Sequence, residues 1–463
     1  SISLQRWLRC SSIVIPGRRL LSNGLTSDEA GRRSNELLRT SISKNNDPHS
    51  LPTLLAHAGM ESYHNAPMSP PLHLATTHTR PPDGIYLDTD SKYGRVDNET
   101  RLLLERTVFG IECVGLFNNN EEQMGATMNK PSCFAFSSGM MAVTALILAH
   151  SGPMTVMIPD DVYHGVPTVL HNVFHRHNVT IQQVNMTSTQ EIKTIISKLD
   201  ETSDVIVWME TPSNPKCQIY DIQRICNTID SIKSQRSNNI TTVVDATMVS
   251  PVITRPLELG ADVSMHSGTK YLGGHSDALM GILTSSPKTE RGQELAPLLS
   301  SVQTDTGGIA SAFDSWLTLR GLRTLQVRVE RQSQTAQTLA EYLSSHPLIT
   351  AVHYPGLASH PHHTLAKRQM DNGLFGGVLS LEVKDEIMAT ATAGALETIQ
   401  RATSLGGTET LMEHRASIEP PERRVSPQGL LRLSVGLEDP NDLIRDLDRA
   451  LGIAKQVVSE GTS

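Results

Sequence analysis

The sequence has no apolar stretch long enough to cross a membrane. The longest, residues 140–149, is about half of the ~20 residues that a spanning helix needs. Basic charge is not in excess either: 40 Lys and Arg stand against 48 Asp and Glu, and the net charge of -8 is spread along the chain. That distribution leaves no dedicated nucleic-acid surface. Cysteine is scarce, and Cys10, Cys113, Cys133, Cys217 and Cys226 include no Cys-x-x-Cys pair and are odd in number. This suits a reducing compartment with buried thiols better than a disulfide framework. Acidic residues are missing from residues 1–27, where Arg6, Arg9, Arg18 and Arg19 sit among serines. Leu4, Trp7 and Leu8 would share one helical face opposite Arg6 and Arg9, the pattern of an organelle transit peptide, mitochondrial ahead of plastid. Without a working leader the chain would be cytoplasmic.

What is present is 463 residues with 38% hydrophobic content, enough for two or three domains with a sizeable core. The expected division is a leader over 1–27, a linker and N-terminal arm over 28–110, a large domain over 111–310, and connecting helices with a C-terminal domain over 311–463. The compact fold should begin near Leu51. Runs rich in Val, Ile and Met at 154–158, 179–184, 204–209, 241–244 and 262–266 alternate with helical-length segments, as in a parallel sheet covered by helices. Residues 282–284 would close that sheet. Residues 313–345 read as one or two helices with Gly321 as a break, and 377–383 and 430–435 as strands of a smaller domain.

Ligands of such sheets lie beyond the carboxyl ends of the strands, and the polar motifs fall there. Asp160-Asp161-Val162-Tyr163 follows one run, Glu210 to Asn214 another, Asp245-Ala246-Thr247 a third, and Ser264 to Lys270 a fourth. Lys270 stands among the hydroxyls of Ser264, Ser267 and Thr269, as a phosphate-bearing cofactor would require. A lysine becomes a catalyst when its pKa is lowered or when it is bonded to a carbonyl cofactor. Residues 133–136 lead through Ser138, Gly139 and Met140 into an apolar helix, so backbone N–H groups at a positive helix end form a phosphate seat. Asp245 ends a buried strand and needs a partner. Arg432, inside an apolar strand, needs one too, and a bidentate grip on an amino-acid α-carboxylate would satisfy it. His360, His362 and His363 are not expected to hold a metal, because no carboxylate or thiolate accompanies them.

Together these motifs resemble the pyridoxal-phosphate enzymes of cysteine and methionine metabolism, the cystathionine synthase and lyase family. Asp262 is followed by Ser-x-x-Ser-x-Thr-Lys ending at Lys270, and Ser138-Gly139-Met140 matches the family's phosphate turn. Tyr93-Gly-Arg95-Val-Asp-Asn98-Glu99-Thr100 is similar to Tyr-x-Arg-x-x-Asn-Pro-Thr, with Glu99 in the proline's place. Residues 354–363 match a connection that is structural in the family, and Arg432-Leu-Ser-Val-Gly-Leu-Glu438 matches its carboxylate-binding strand. The resemblance runs from about Leu51 to Leu451. It implies fold type I: an α/β large domain with a mainly parallel seven-stranded sheet, and a smaller α/β C-terminal domain.

The resemblance also implies roles. Lys270 would bond the cofactor and act as general base, Asp245 would pair with the pyridine nitrogen, and Tyr163 would stack on the ring and assist proton transfer. Asn214 would meet the phenolic oxygen. Gly139, Met140, Ser267 and Thr269 would hold the phosphate, with Tyr93 and Arg95 reaching in from a neighbouring subunit of a homotetramer, a dimer of dimers with shared sites. Arg432, Ser404 and Thr403 would bind a small amino-acid substrate. Glu210 would fix the loop that bears Asn214. The activity implied is carbon–sulfur bond cleavage or formation on cystathionine, cysteine or homoserine-derived amino acids, like cystathionine γ-lyase or γ-synthase; β-lyase or methionine γ-lyase activity is the alternative. A different reading, an inert assembly partner, is opposed by Lys270, Asp245 and Arg432. Three departures bear on substrate choice: Thr168 stands where several relatives place an arginine, Thr403 stands where many place glutamate, and Glu413-His-Arg-Ala-Ser-Ile-Glu419 replaces His-x-Ala-Ser-x-Thr-His.

Overall fold

Strands form where the Val/Ile/Met runs place them. The computed structural model describes residues 50–60, 68–85, 91–117, 132–233, 236–419, 424 and 426–461; the proposed leader over 1–27 and Cys10 lie outside them. The large sheet comprises β1 (Cys133–Phe136), β2 (Met154–Ile158), β3 (Val179–Gln183), β4 (Asp204–Glu210), β5 (Ile240–Asp245), β6 (Val263–Ser267) and β7 (Gly281–Ser285), in the order β1-β7-β6-β5-β4-β2-β3. β7 runs antiparallel to β1 and β6, and the pairs from β6 through β5, β4 and β2 to β3 are parallel. In β4, Ile206 and Trp208 join one apolar cluster with Phe134 and Val143, while Val205, Val207 and Met209 join another with Ile192 and Ile225. The period of two thus feeds both faces, which is why these strands read as unbroken apolar runs.

A second sheet follows: β8 (Ala351–His353), β9 (Val378–Glu382), β10 (Gln400–Arg401), β11 (Leu411–His414) and β12 (Leu430–Ser434), in the order β10-β11-β12-β9-β8. Leu431 and Leu433 of β12 pack with Leu379, Leu381, Met388 and Leu443. Alternation sends Arg432 to the opposite face, where it pairs in register with Glu413 on β11 and Ser380 on β9. Ser380 Oγ donates to the carbonyl of Pro215 at 2.7 Å, so this polar face is tied to the loop that carries Asn214.

Helices Ala312–Leu322 and Leu325–Ser344 fill the expected helical stretch. The break between them follows Leu322, one residue past the expected Gly321. A Cβ on Gly321 would stand 2.2 Å from the carbonyl of Gly273, so the glycine lets this helix close on the turn that follows Lys270. Helix Glu99–Glu112 starts inside the stretch expected as an arm, capped by Asn98 Oδ1 accepting from Arg101 N at 3.0 Å. Glu99 occupies the first helical position, where an acid suits the positive helix end as well as the missing proline would. The described cysteines, Cys113, Cys133, Cys217 and Cys226, are buried free thiols. Among the described residues no helix is long and apolar enough to cross a membrane.

Candidate active site

Register brings the strand ends level. Glu210 closes β4 opposite Asp245 of β5, Asp245 pairs with Met265 of β6, and Ser267 of β6 faces Gly281 of β7, which in turn faces Phe136 of β1. A cavity of about 510 Å³ opens at this edge. Gly139, Met140, Tyr163, Asn214, Asp245, Ser267, Thr269 and Lys270 line it from the large sheet, and Thr403, Ser404 and Arg432 from the second. Tyr93 and Arg95 do not reach it; Tyr93 is 48% exposed, and the Arg95 guanidinium lies 5.8 Å over its ring.

At one end the helix Gly139–Leu148 begins, with Ser138 Oγ accepting from Met141 N at 3.0 Å. Gly281 makes room for that helix end, since a Cβ there would stand 2.3 Å from the Ser138 carbonyl. A Cβ on Gly139 would meet the Ser267 hydroxyl at 3.3 Å, so the glycine and the serine together frame an open seat beside a positive helix terminus. Thr269 spends its hydroxyl on Met280, accepting from N at 3.0 Å and donating to O at 3.2 Å. Ser264 does not serve the site: it is fully buried and pairs with His266 at 3.3 Å.

Lys270 sits on a tight turn, its N–H donating to Ser267 O at 3.0 Å and its carbonyl accepting from Gly274 N at 2.7 Å. Nζ donates to Ser404 Oγ at 2.8 Å. Burial, and then the Arg432 guanidinium, push the ammonium down to about 8. Ser404 has φ of 116°, a region rare for any residue but glycine, and Arg432 Nη2 holds its carbonyl at 2.9 Å. Arg432 also donates from Nη1 to Asn214 Oδ1 at 3.1 Å and contacts Glu413 at 2.8 Å.

Asp245 is buried, and burial raises its carboxyl although Thr247 N donates to Oδ1 at 3.0 Å. Glu210 is raised well above the carboxylate range by burial and by Asp245 beside it. The sequence reading gives the Asn214 loop to Glu210; the structure gives that loop to Asp161 and the Tyr163 turn to Glu210. Glu210 Oε2 accepts from Tyr163 N at 2.8 Å and so fixes the tyrosine turn. Asp161 is the acid that fixes the Asn214 loop, through the Ser213 hydroxyl and through Lys216 N at 3.0 Å. Burial raises the Tyr163 phenol above its ordinary value, which keeps it a proton donor at neutral pH.

Sequence reasoning missed roles for several lining residues: His164, Thr247, Glu413 and Arg415. Glu413 and Arg415 both fall in the 413–419 departure that bears on substrate choice, without a role assigned to either there; the register of β11 on β12 sets Glu413 beside Arg432, and Arg415 follows on a short helix. Thr168 lies half-buried on helix Gly165–Asn172 and does not line the cavity. His363 Nδ1 bonds the Pro355 carbonyl at 2.8 Å and His362 Nδ1 accepts from Ile219 N at 3.3 Å. Among the described residues no group of His, Cys, Asp and Glu could hold a metal ion.

These residues fit pyridoxal phosphate: a buried acid, a lysine with a lowered pKa, and a glycine-framed helix terminus share one cavity. The sequence profile of the Cys/Met metabolism PLP-dependent enzymes matches residues 52–452. The chain is 37% identical to the cystathionine beta-lyase of Coxiella burnetii, over 88% of this chain and 99% of that protein. It is 34% identical to the cystathionine gamma-lyase of Bacillus subtilis, over 86% and 98%. The crystal structure of cystathionine gamma synthase from Xanthomonas oryzae pv. oryzae in complex with aminoacrylate and cysteine superposes with a TM-score of 0.77 at 30% identity, covering 89% of this chain and 100% of that one. The chain therefore belongs to the Cys/Met metabolism PLP-dependent enzymes, with their fold type I architecture and with pyridoxal phosphate as its cofactor.

Proposed function

We propose that this enzyme makes or breaks carbon–sulfur bonds at the γ-carbon of homoserine-derived amino acids, in the manner of a γ-synthase or γ-lyase. One observation carries the choice. The carboxylates lining the cavity are Glu210, Asp245 and Glu413. Glu210 is held at the Tyr163 backbone, Asp245 serves the cofactor, and Glu413 is engaged by both Arg432 and Arg415, at 2.8 and 3.0 Å. Thr403, where relatives place glutamate, carries no charge, so among the described residues the distal ammonium of cystathionine meets no free acid.

In this reading Gly139, Met140 and Ser267 would hold the cofactor's phosphate, while Thr269, its hydroxyl taken by Met280, would brace the turn that carries Lys270; Asp245 would hold the pyridine nitrogen and Asn214 the phenolic oxygen, with Tyr163 stacked on the ring. The chemistry supplied by the cofactor is storage of the electron pair left at the substrate's α-carbon. Arg432 and Ser404 seat the α-carboxylate; Arg432 Nε has no hydrogen-bond partner among the described residues and keeps a donor for it. Lys270 Nζ takes the α-proton. Tyr163, a neutral phenol, hands a proton to the departing group.

Tyr93 and Arg95 would complete the phosphate seat of a neighbouring subunit, in a homotetramer built as a dimer of dimers. Exposed apolar side chains on the same arm, Met68 at 74%, Leu74 at 69% and Ile85 at 66%, support burial against a partner. We assign residues 111–310 to the cofactor domain and 311–463 to the C-terminal one. The acid-free stretch 1–27 supports organelle import, mitochondrial ahead of plastid.

Steady-state kinetics across cystathionine, cysteine, methionine and acylated homoserine test the reading. Acylated homoserine should be converted at least as well as cystathionine. Thr403→Glu should shift kcat/KM toward cystathionine by about tenfold, ~1.4 kcal/mol of transition-state binding. A wild type that strongly prefers cystathionine, with no gain in the variant, contradicts it.

The Lys270 value gives a second test. Only a neutral amine attacks the cofactor's aldehyde, so the rate at which cofactor-stripped protein recovers pyridoxal phosphate should be low in acid and rise with pH, half-maximal near about 8. A midpoint near the ordinary lysine value of about 10.4 would show that burial does not act on Lys270.

A further inference from the structure

Arg101 stands where a cation is costly. It lies in the first turn of helix Glu99–Glu112, at the positive helix end, which disfavours a like charge. It is also 0% exposed, so its guanidinium has given up water. Burial holds it below its ordinary pKa, against the pull of Glu105 and Asp97. It does not line the cavity.

What the guanidinium touches is backbone. Nη1 donates to the carbonyl of Gly94 at 3.0 Å, and Nη2 to those of Arg95 at 3.2 Å and Val96 at 2.8 Å. These carbonyls belong to the four-residue helix Gly94–Asp97, which is too short to satisfy them itself. The N–H side of the same turn is held by Asp97, whose Oδ1 and Oδ2 accept from Tyr93 N at 2.9 Å and Lys92 N at 2.8 Å. Glu105 Oε1 lies 3.6 Å from Arg101 Nε and accepts from Ala135 N of β1 and from Gln303 Nε2, both at 2.8 Å. The grip on the turn is thus anchored to the edge strand of the large sheet.

The turn so held carries Tyr93 and Arg95, both exposed and both outside the cavity of their own chain. A surface turn can satisfy its backbone with water. Two carboxylates and a buried guanidinium committed to this one fix its shape instead, which matters where a second surface must be met, because ordering side chains at an interface costs entropy that a prearranged turn avoids.

We propose that Arg101 and Asp97 are positioning residues for a site to which they do not belong: they hold residues 93–97 in the shape in which Tyr93 and Arg95 meet the cofactor phosphate of the neighbouring subunit. The inference rests on the reading above that this arm reaches a neighbour.

Arg101→Lys keeps the charge but loses the planar fork that spans the carbonyls. Its homo-oligomer should bind pyridoxal phosphate about tenfold more weakly than wild type, titrated by the absorbance of the bound cofactor. Asp97→Ala leaves the buried pair untouched, so folding is not at stake, and should weaken binding about threefold. Co-expressed hybrids, separated by two tags, show on which chain the loss falls. Arg101→Lys chains paired with Lys270→Ala chains leave one intact Lys270, served by an arm with an intact Arg101, and that site should bind with wild-type affinity. Wild-type chains paired with Arg101→Lys/Lys270→Ala chains leave one intact Lys270 served by a loosened arm, and should show the full loss. Hybrids made with Asp97→Ala should follow the same order. The reverse order, an equal loss in both hybrids, or wild-type affinity in the folded homo-oligomers overturns the positioning role. The same two hybrids made with Arg95→Ala separate the claims. If Arg95→Ala weakens the site of its own chain, the arm does not cross and the underlying reading fails; if it acts across while Arg101→Lys and Asp97→Ala do not, the inference alone falls.

Discussion

Lys270→Ala should abolish both the covalent retention of pyridoxal phosphate and turnover, while leaving the fold intact. A positioned general base contributes about 10²–10⁴ in rate, and loss of the bond to the cofactor adds to this, so kcat should fall by about 10³ or more. The fold should survive because the side chain makes its hydrogen bond to Ser404 Oγ, whereas the turn is held by backbone bonds from Gly273 N to Gly268 O at 2.9 Å and from Gly274 N to Lys270 O. Removing a buried amine also removes its desolvation. The wild type should be yellow and keep its colour on dialysis, and the variant should lose it. A variant that keeps a tenth of the activity would move the base elsewhere.

Co-expressed Arg95→Ala and Lys270→Ala chains should recover activity that neither has alone, assayed where cofactor is limiting. The Arg95 side chain lies outside its own chain's cavity, and loss of a charge-assisted phosphate contact is worth about 1.5–3 kcal/mol. Arg95→Ala alone should therefore bind cofactor roughly tenfold to a hundredfold more weakly. In a hybrid dimer one site would combine an intact Lys270 with an intact Arg95, so about half of the sites should work. No recovery in verified heterodimers would place Arg95 in the site of its own chain.

The parts of this site that were legible in the sequence are those set by local rules. Strand periodicity and the position of each polar motif just past a strand end lead to Asp245, Lys270 and the Gly139 turn, and the register brings them to one edge. What was not legible depends on pairing between elements. Glu210 and Asp161 are both acids beyond strands, and only the packing of the 160–163 turn against the 210–214 loop decides which one holds Tyr163 and which holds Asn214. Gly321 has the spacing of a helix break, yet its role comes from a backbone in another part of the chain, at Gly273. Arg415 falls in a stretch that departs from the family's pattern, but its position in the cavity follows from where β11 ends beside β12. Ser264 has the spacing of a cofactor contact, but strand alternation turns it away from the cavity.

The most direct measurement is to treat the purified chain with pyridoxal phosphate, reduce it with borohydride, digest it and locate the modified residue by mass spectrometry, before and after incubation with acylated homoserine. The result expected is a single modified lysine, Lys270, whose labelling is lost while substrate is being converted. Modification of another lysine, or none at all in protein that remains inactive with added cofactor, would contradict the account.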